Sequence, residues 1–291
     1  MESLNTLQRQ IETSGKLASI VKSLKTLSAV NLRQYEQAAQ ALDAYQETIE
    51  SALQGVIRET GLPAAGAVVG GWQGLVIFGS DQGLCGRFNE RLVDFMLEKQ
   101  GFESLRQSRL LVSGVRLGAR LAAAGLEPEE TFWSPGSLAG VNRHVYEIIL
   151  LLHRWQQQGC QRVELFFNRY APGGSGAPVR APLLPLDNER LRGLGQKAWP
   201  GRSLPLSALA PEKIFPALIQ QDLFVAIYRA QVQSLASEQA SRLYSLQQAE
   251  KNIEEHRDEL TARYRNLRQS AITAELLDLV AGFRSVTGHP G

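Results

Sequence analysis

Two stretches of this 291-residue chain hold neither glycine nor proline: Lys16 to Gln54, and Ala217 to Ala281. With no residue that breaks or kinks a helix, both read as uninterrupted helices. At 1.5 Å per residue they would reach roughly 60 Å and nearly 100 Å, whereas a globular helix averages about 11–12 residues. Helices of that length need a partner along their whole course. A seven-residue pattern supplies one. In the N-terminal segment one row is Leu7, Ser14, Val21, Ser28, Tyr35, Leu42, Ile49, Val56, and its companion includes Leu4, Ile11, Ala18, Lys25, Leu32, Ala39. In the C-terminal segment the rows are Leu246, Ile253, Leu260, Leu267, Ala274 and Leu243, Glu250, Arg257, Tyr264, Ala271. These are the a and d positions of a coiled coil. The seam is mixed, with small and polar residues that favour close approach at some loss of stability. The expectation is one antiparallel coiled coil made from 1–60 and 211–287. The C-terminal helix is the longer, so part of it must lie against something else.

The middle of the chain, 72–210, changes character. "GLVIF" (74–78), "RLLVSG" (109–114) and "RVELFFNRY" (162–170) read as strands. Asn89 to Lys99, "VRLGARLAAAG" and "RHVYEIILLLHRWQQQG" (143–159) read as helices, the last closed by Gly159. "PVRAPLLPL" (178–186) is strand-like, but its three prolines put it at an edge. Alternating βα units predict a small α/β domain with a largely parallel sheet. "APGGSGAP" (171–178) reads as a turn, and "WPGRSLPLSALAP" (199–211) as the link to the long C-terminal helix.

The bulk composition excludes several classes. A net charge of +2 leaves no electrostatic footprint of a nucleic-acid binder. No run approaches the 18 apolar residues of a membrane span, and "MESLNTLQRQI" lacks the basic and apolar regions of a secretory signal. Cys85 and Cys160 lie far apart, so a disulfide is not expected, and no paired-cysteine or HExxH spacing points to a metal. No cofactor is expected.

Three motifs remain to be weighed. "GSDQGLCGRFN" (79–89) sits between a strand and a helix, as phosphate loops do. Its glycines, Gly79, Gly83 and Gly86, match neither the dinucleotide nor the P-loop spacing, and no Lys-Ser or Lys-Thr follows. A tight turn needing positive φ is the plainer reading, with Asp81 and Asn89 as caps. Cys85 has no base nearby in sequence, so it reads as a small apolar residue and not a nucleophile. "RQSAITAELLDLVAG" (268–282) carries Arg268, Gln269, Thr273 and Glu275 on a strongly helical stretch. These are open to a partner or simply solvated. "LASEQASRLYSLQQAEKN" (235–252), with Glu238, Gln239 and Arg242, raises the same question. Glu129–Glu130 and Glu254–Glu255 read as solvated faces.

These residues, in this order, resemble the γ subunit of F-type rotary ATP synthases. "LASEQASRL" and "RQSAITAELLDLVAG" resemble the family's C-terminal helix, "SDQGLCGRFN" its S-D-R-G-L-C-G-G-x-N loop, and "IVKSLKTLSAVNLR" (20–33) more loosely its K-I-T-K-A-M-x-M-V-A-A-x-K-L-R segment. The likeness covers essentially the whole chain. It implies a long antiparallel coiled coil of the two terminal helices with an inserted Rossmann-like α/β domain. It further implies a non-catalytic central-stalk rotor that couples ion-driven rotation of the membrane c ring to conformational change in the catalytic ring of α and β subunits. Partners would be α, β, the ε subunit and the c-ring loops, with membrane contact only through the complex. The place would be the cytoplasmic face of the bacterial inner membrane.

Residue by residue, Arg268, Gln269 and Thr273 match positions that contact loops of the α/β ring, and Glu275 and Arg242 match further polar positions on that helix. Lys22 matches a basic position facing an acidic lever of β. Asp81, Gln82, Gly83, Leu84, Cys85 and Gly86 match the loop that approaches the same lever. The chain also departs from the pattern. Gln82 stands for the family's Arg and Arg87 for its second Gly, while Ser19, Leu24 and Asn31 replace a Lys, a Met and a Lys. "LSALAPEK" lacks the usual acidic pair, and "GFRSVTGHPG" runs past the usual ending. A divergent branch such as the sodium-translocating N-type ATPases is the alternative within the family. A nucleotide-binding α/β enzyme with helical arms is the alternative outside it.

Overall fold

The computed structural model describes residues 3–61, 71–174, 176–199, 201 and 210–287. The expected link over 199–211 lies mostly outside the described residues, and the last residues of the extended C-terminus wholly so. The predicted long helices are α1, Leu4–Thr60, and α7, Pro211–Thr287. Each begins before its glycine- and proline-free stretch. α1 passes through Gly15, and α7 takes in Pro216 early, where a lost N–H removes only one intrahelical bond.

The chain forms two compact units, and both helices contribute to each: Met1–Leu27 with Tyr244–Gly291, and Ser28–Leu243. α1 and α7 pair as an antiparallel coiled coil. In the first unit Leu7, Ser14, Leu246 and Leu260 are buried, while the companion row is half-buried from Leu4 to Lys25 and from Glu250 to Ala271. Lys25 and Glu250 form an ion pair within this seam. Past Ala271 every described side chain of α7 is exposed, including Ala274, which the heptad count had placed on the seam. The reason is length: α1 begins at Leu4, so α7 outruns it.

In the second unit the heptad row continues through Ser28, Tyr35, Leu42, Ile49 and Val56, all buried. Leu42, Ile49, Leu53 and Ile57 cluster with Val225 of α7 and with Leu191 and Leu194 of α6, Asn188–Gln196. Asp43 pairs with Arg229 at 2.5 Å, and Gln46 donates to Asp222 at 3.1 Å.

The same unit holds the sheet. Its strands are β1 Trp72–Phe78, β2 Arg109–Ser113, β3 Glu130–Phe132, β4 Cys160–Arg169 and β5 Ala177–Leu184, in the order β3-β2-β1-β4-β5. The first four run parallel, and the proline-bearing β5 is the antiparallel edge. From Gly74 to Phe78 β1 is apolar and buried because both its faces are covered. Leu75 and Ile77 meet Leu92 and Met96 of α2 (Phe88–Gln100) and Leu117 and Leu121 of α4 (Val115–Ala123). Val76 and Phe78 meet Val145, Ile148 and Trp155 of α5 (Leu138–Gln157) and Ile227 and Ala230 of α7.

Three short elements were not anticipated: α3 Phe102–Gln107, β3 and α6. α3 and β3 are too short to show a period. α6 contains two glycines, but Asp187 caps it by accepting from the N–H groups of Glu189 and Arg190.

Candidate partner-contact surfaces

The loop after β1 is built by burial and hydrogen bonds, not by a ligand. Gly79 is needed because a Cβ there would lie 2.4 Å from the Leu117 side chain. Gly86 has φ +59. Asn89 accepts from the Ser80 N–H at 3.1 Å and donates to the Ser80 hydroxyl at 2.9 Å, closing the loop on α2. Asp81 does cap a helix, but a distant one: it accepts from the N–H of Val115 at the start of α4 and from that of Ser134, both at 2.8 Å. Burial raises the Asp81 carboxyl above the usual aspartate range, against the lowering effect of those two donors. Cys85 is buried beside the Ser80 hydroxyl, and burial pushes its thiol up, the opposite of an activated nucleophile.

Three side chains of the loop point outward. Gln82 is exposed, and so is Leu84, which holds a left-handed backbone (φ 63) with 59% of its surface open. A branched apolar side chain in that conformation is strained and unburied, a pairing typical of contact sites. Arg87 faces solvent and pairs with Asp94 at 3.3 Å. An exposed pair of this kind has little energetic consequence.

Arg242 is where the structure departs most from expectation. It does not project outward for a partner; only 7% of it is exposed. Its guanidinium donates to the carbonyls of Gly83 at 3.2 Å and Gln82 at 3.4 Å, and to Glu238 at 2.5 Å. Burial lifts the Glu238 carboxyl to about 6, with Arg242 pulling it back down. The reading of 235–252 as a solvated face therefore fails for Glu238, Gln239 and Arg242, all buried. The reason is the neighbouring small residues: Ser234, Ser237 and Ser241 let α7 press close to the sheet. Ser234 donates to the Phe78 carbonyl at the end of β1. A Cβ on Gly176, in the turn after β4, would sit 2.5 Å from the Ser237 hydroxyl. α7 thus crosses the carboxyl ends of β1 and β4. That is the place where the strand order reverses and where doubly wound folds bind nucleotides.

In the first unit Lys22 is exposed on α1. Arg268, Gln269, Thr273 and Glu275 are exposed on α7, where Thr273 donates its hydroxyl to the Gln269 carbonyl at 2.9 Å. Asn266, Gln269, Ser270, Thr273, Ala274 and Leu277 line a shallow groove. Sequence reasoning passed over the apolar residues of the same stretch, Ile272, Leu276, Leu277, Leu279 and Val280, which reach 70% exposure at Leu279.

The ATP synthase family profile matches residues 3–286. The chain belongs to the ATP synthase family. Its relatives within that family are named ATP synthase gamma chain. One from Bacteroides thetaiotaomicron is 25% identical over 97% of this chain and 99% of its own length. One from Nitrosomonas eutropha is 27% identical over 73% and 74%. The fold resembles a chain of the Euglena gracilis mitochondrial ATP synthase, solved with OSCP, F1 and c-ring, at 16% identity and a TM-score of 0.67 over 98% of this chain and 95% of that one. It also resembles a chain of the Tetrahymena thermophila central stalk and c-ring, at 18% identity and a TM-score of 0.54 over 79% and 99%.

Proposed function

We propose that the chain is a torque-bearing shaft whose α7 end seats in a ring of α and β subunits, with the α/β body toward the c-ring loops and an ε subunit. It works on the cytoplasmic face of a bacterial inner membrane, held there by the complex; no described helix is long and apolar enough to cross a membrane. The observation that supports this reading is the bare end of α7. Five large apolar side chains stand exposed there beside Arg268, Gln269, Thr273 and Glu275. A continuous apolar patch rimmed by polar groups marks an interaction site. The polar groups then serve as angular contacts, strong only where a ring loop meets them. Such differential contacts bias one conformation of the ring over another. Lys22, Gln82 and Leu84 are the outward-facing candidates for a second contact, while Asp81, Gly83, Cys85, Gly86 and Arg242 shape the loop from within.

Gln269→Ala with Thr273→Ala removes two hydrogen-bonding groups from exposed positions. ATP synthesis by the assembled complex should fall by roughly ten-fold or more, with no change in the melting of the isolated chain. Leu276→Asp with Leu279→Asp should abolish co-purification with α and β subunits. Full assembly and activity in both variants would overturn the reading.

A further inference from the structure

Among the described residues, seven buried polar or charged side chains lie on α7 between Gln231 and Arg242. Stability alone does not call for them, since apolar groups of similar shape in such places are often neutral or stabilising. Gln231, Ser234, Glu238 and Arg242 are spaced three, four and four residues apart, which sets them on one face of the helix. Gln231 accepts from the Ser113 hydroxyl at 3.2 Å, at the end of β2. Ser234 bonds the last carbonyl of β1, and Arg242 bonds the carbonyls of Gln82 and Gly83 while Glu238 holds its guanidinium.

We infer that this stripe is a register clasp: it fixes the rotational and axial position of α7 on the α/β body, so that torque passes between the two without slip. The inference rests on the proposed function above. Its physical basis is direction. Apolar contact is non-directional and lets a smooth helix settle in neighbouring registers, whereas hydrogen bonds weaken steeply with angle. A slip of one residue turns a helix by about 100° and moves it 1.5 Å. No bond from the stripe to the α/β body survives that, because the Phe78, Gln82 and Gly83 carbonyls and the Ser113 hydroxyl are held in place by the strand ends and the loop after β1. The best-attested use of buried polar groups is this choice of register.

The test uses Gln231→Leu with Ser234→Ala in the full chain. Two lost hydrogen bonds lower the preference for the native register by roughly thirty-fold. Spin labels at exposed Gln220→Cys and Arg120→Cys should then show a second distance population, absent from the labelled parent. The assembled complex should move fewer ions per ATP hydrolysed. If the double variant does not fold, Ser234→Ala alone decides, since it deletes a single hydroxyl; it should broaden the same distance distribution. A single unchanged distance together with unchanged coupling overturns the clasp. A parent chain that neither assembles nor couples overturns the proposed function instead, so the two failures are distinct.

Discussion

His144 is the residue whose chemistry is most displaced by its surroundings. It sits in α5 against the edge of the Phe132 ring, with Nε2 3.0 Å from the Ser113 hydroxyl. Ser113 gives its own proton to Gln231, so the neutral imidazole carries its hydrogen on Nε2. Burial lowers the His144 pKa from 6.5 to about 4. The only acidic side chain paired with it among the described residues is the half-exposed Glu147, at 3.9 Å. A depressed folded pKa means that stability is intact above pH 6.5 and is lost as pH falls toward 4. The loss should approach about 3 kcal/mol. Glu238 acts in the opposite sense, since its raised value makes the folded state take up a proton sooner, between about 6 and 4.5. The melting temperature of the chain should therefore fall below pH 6.5, and His144→Gln should flatten that limb. A parallel acid limb in parent and variant would refute the assignment. None of this was legible in the sequence, where four scattered histidines gave no pairing; only packing brings His144, Ser113 and Gln231 together.

Among the elements, the two long helices were the most legible. The first heptad row of α1 is buried at every position but Val21 from Leu7 to Val56, and the companion row half-buried, because a strict period on a stiff rod leaves little freedom. Outright exposure comes where that rod loses its partner, as at Ala274. Gly15 is a different weak point. A Cβ built there meets nothing within 4 Å, and the residue lies inside α1. Gly15→Ala should stabilise the chain by about 0.5–1 kcal/mol through a more ordered helix and a less free unfolded state. A rise in melting temperature checks this, and a fall would mean that the seam needs a backbone approach a methyl group blocks. The sheet strands were found by their apolar runs. β3, with three residues in a polar stretch, exists only because β2 offers it an edge to pair with.

At the scale of the whole molecule, the informative feature is the use made of the sheet's carboxyl edge. A doubly wound fold leaves a crevice there for a nucleotide. Here Ser234, Ser237 and Arg242 of α7 occupy it, so titrating the isolated chain with Mg-ATP up to about 1 mM should give no saturable heat. Binding abolished by a change at Gly83 would restore the enzyme reading. The sequence by itself determined the two long helices, their seven-residue seam, the α/β core and the family, because each is written in local period or in contiguous motif. The tertiary structure alone decided that Arg242 faces inward, that Asp81 caps a helix 34 residues away, and that Leu84 and the end of α7 are what the chain presents. Those are questions of which face of a residue meets another part of the chain, and a polar side chain looks the same in sequence whether it is solvated or clasped.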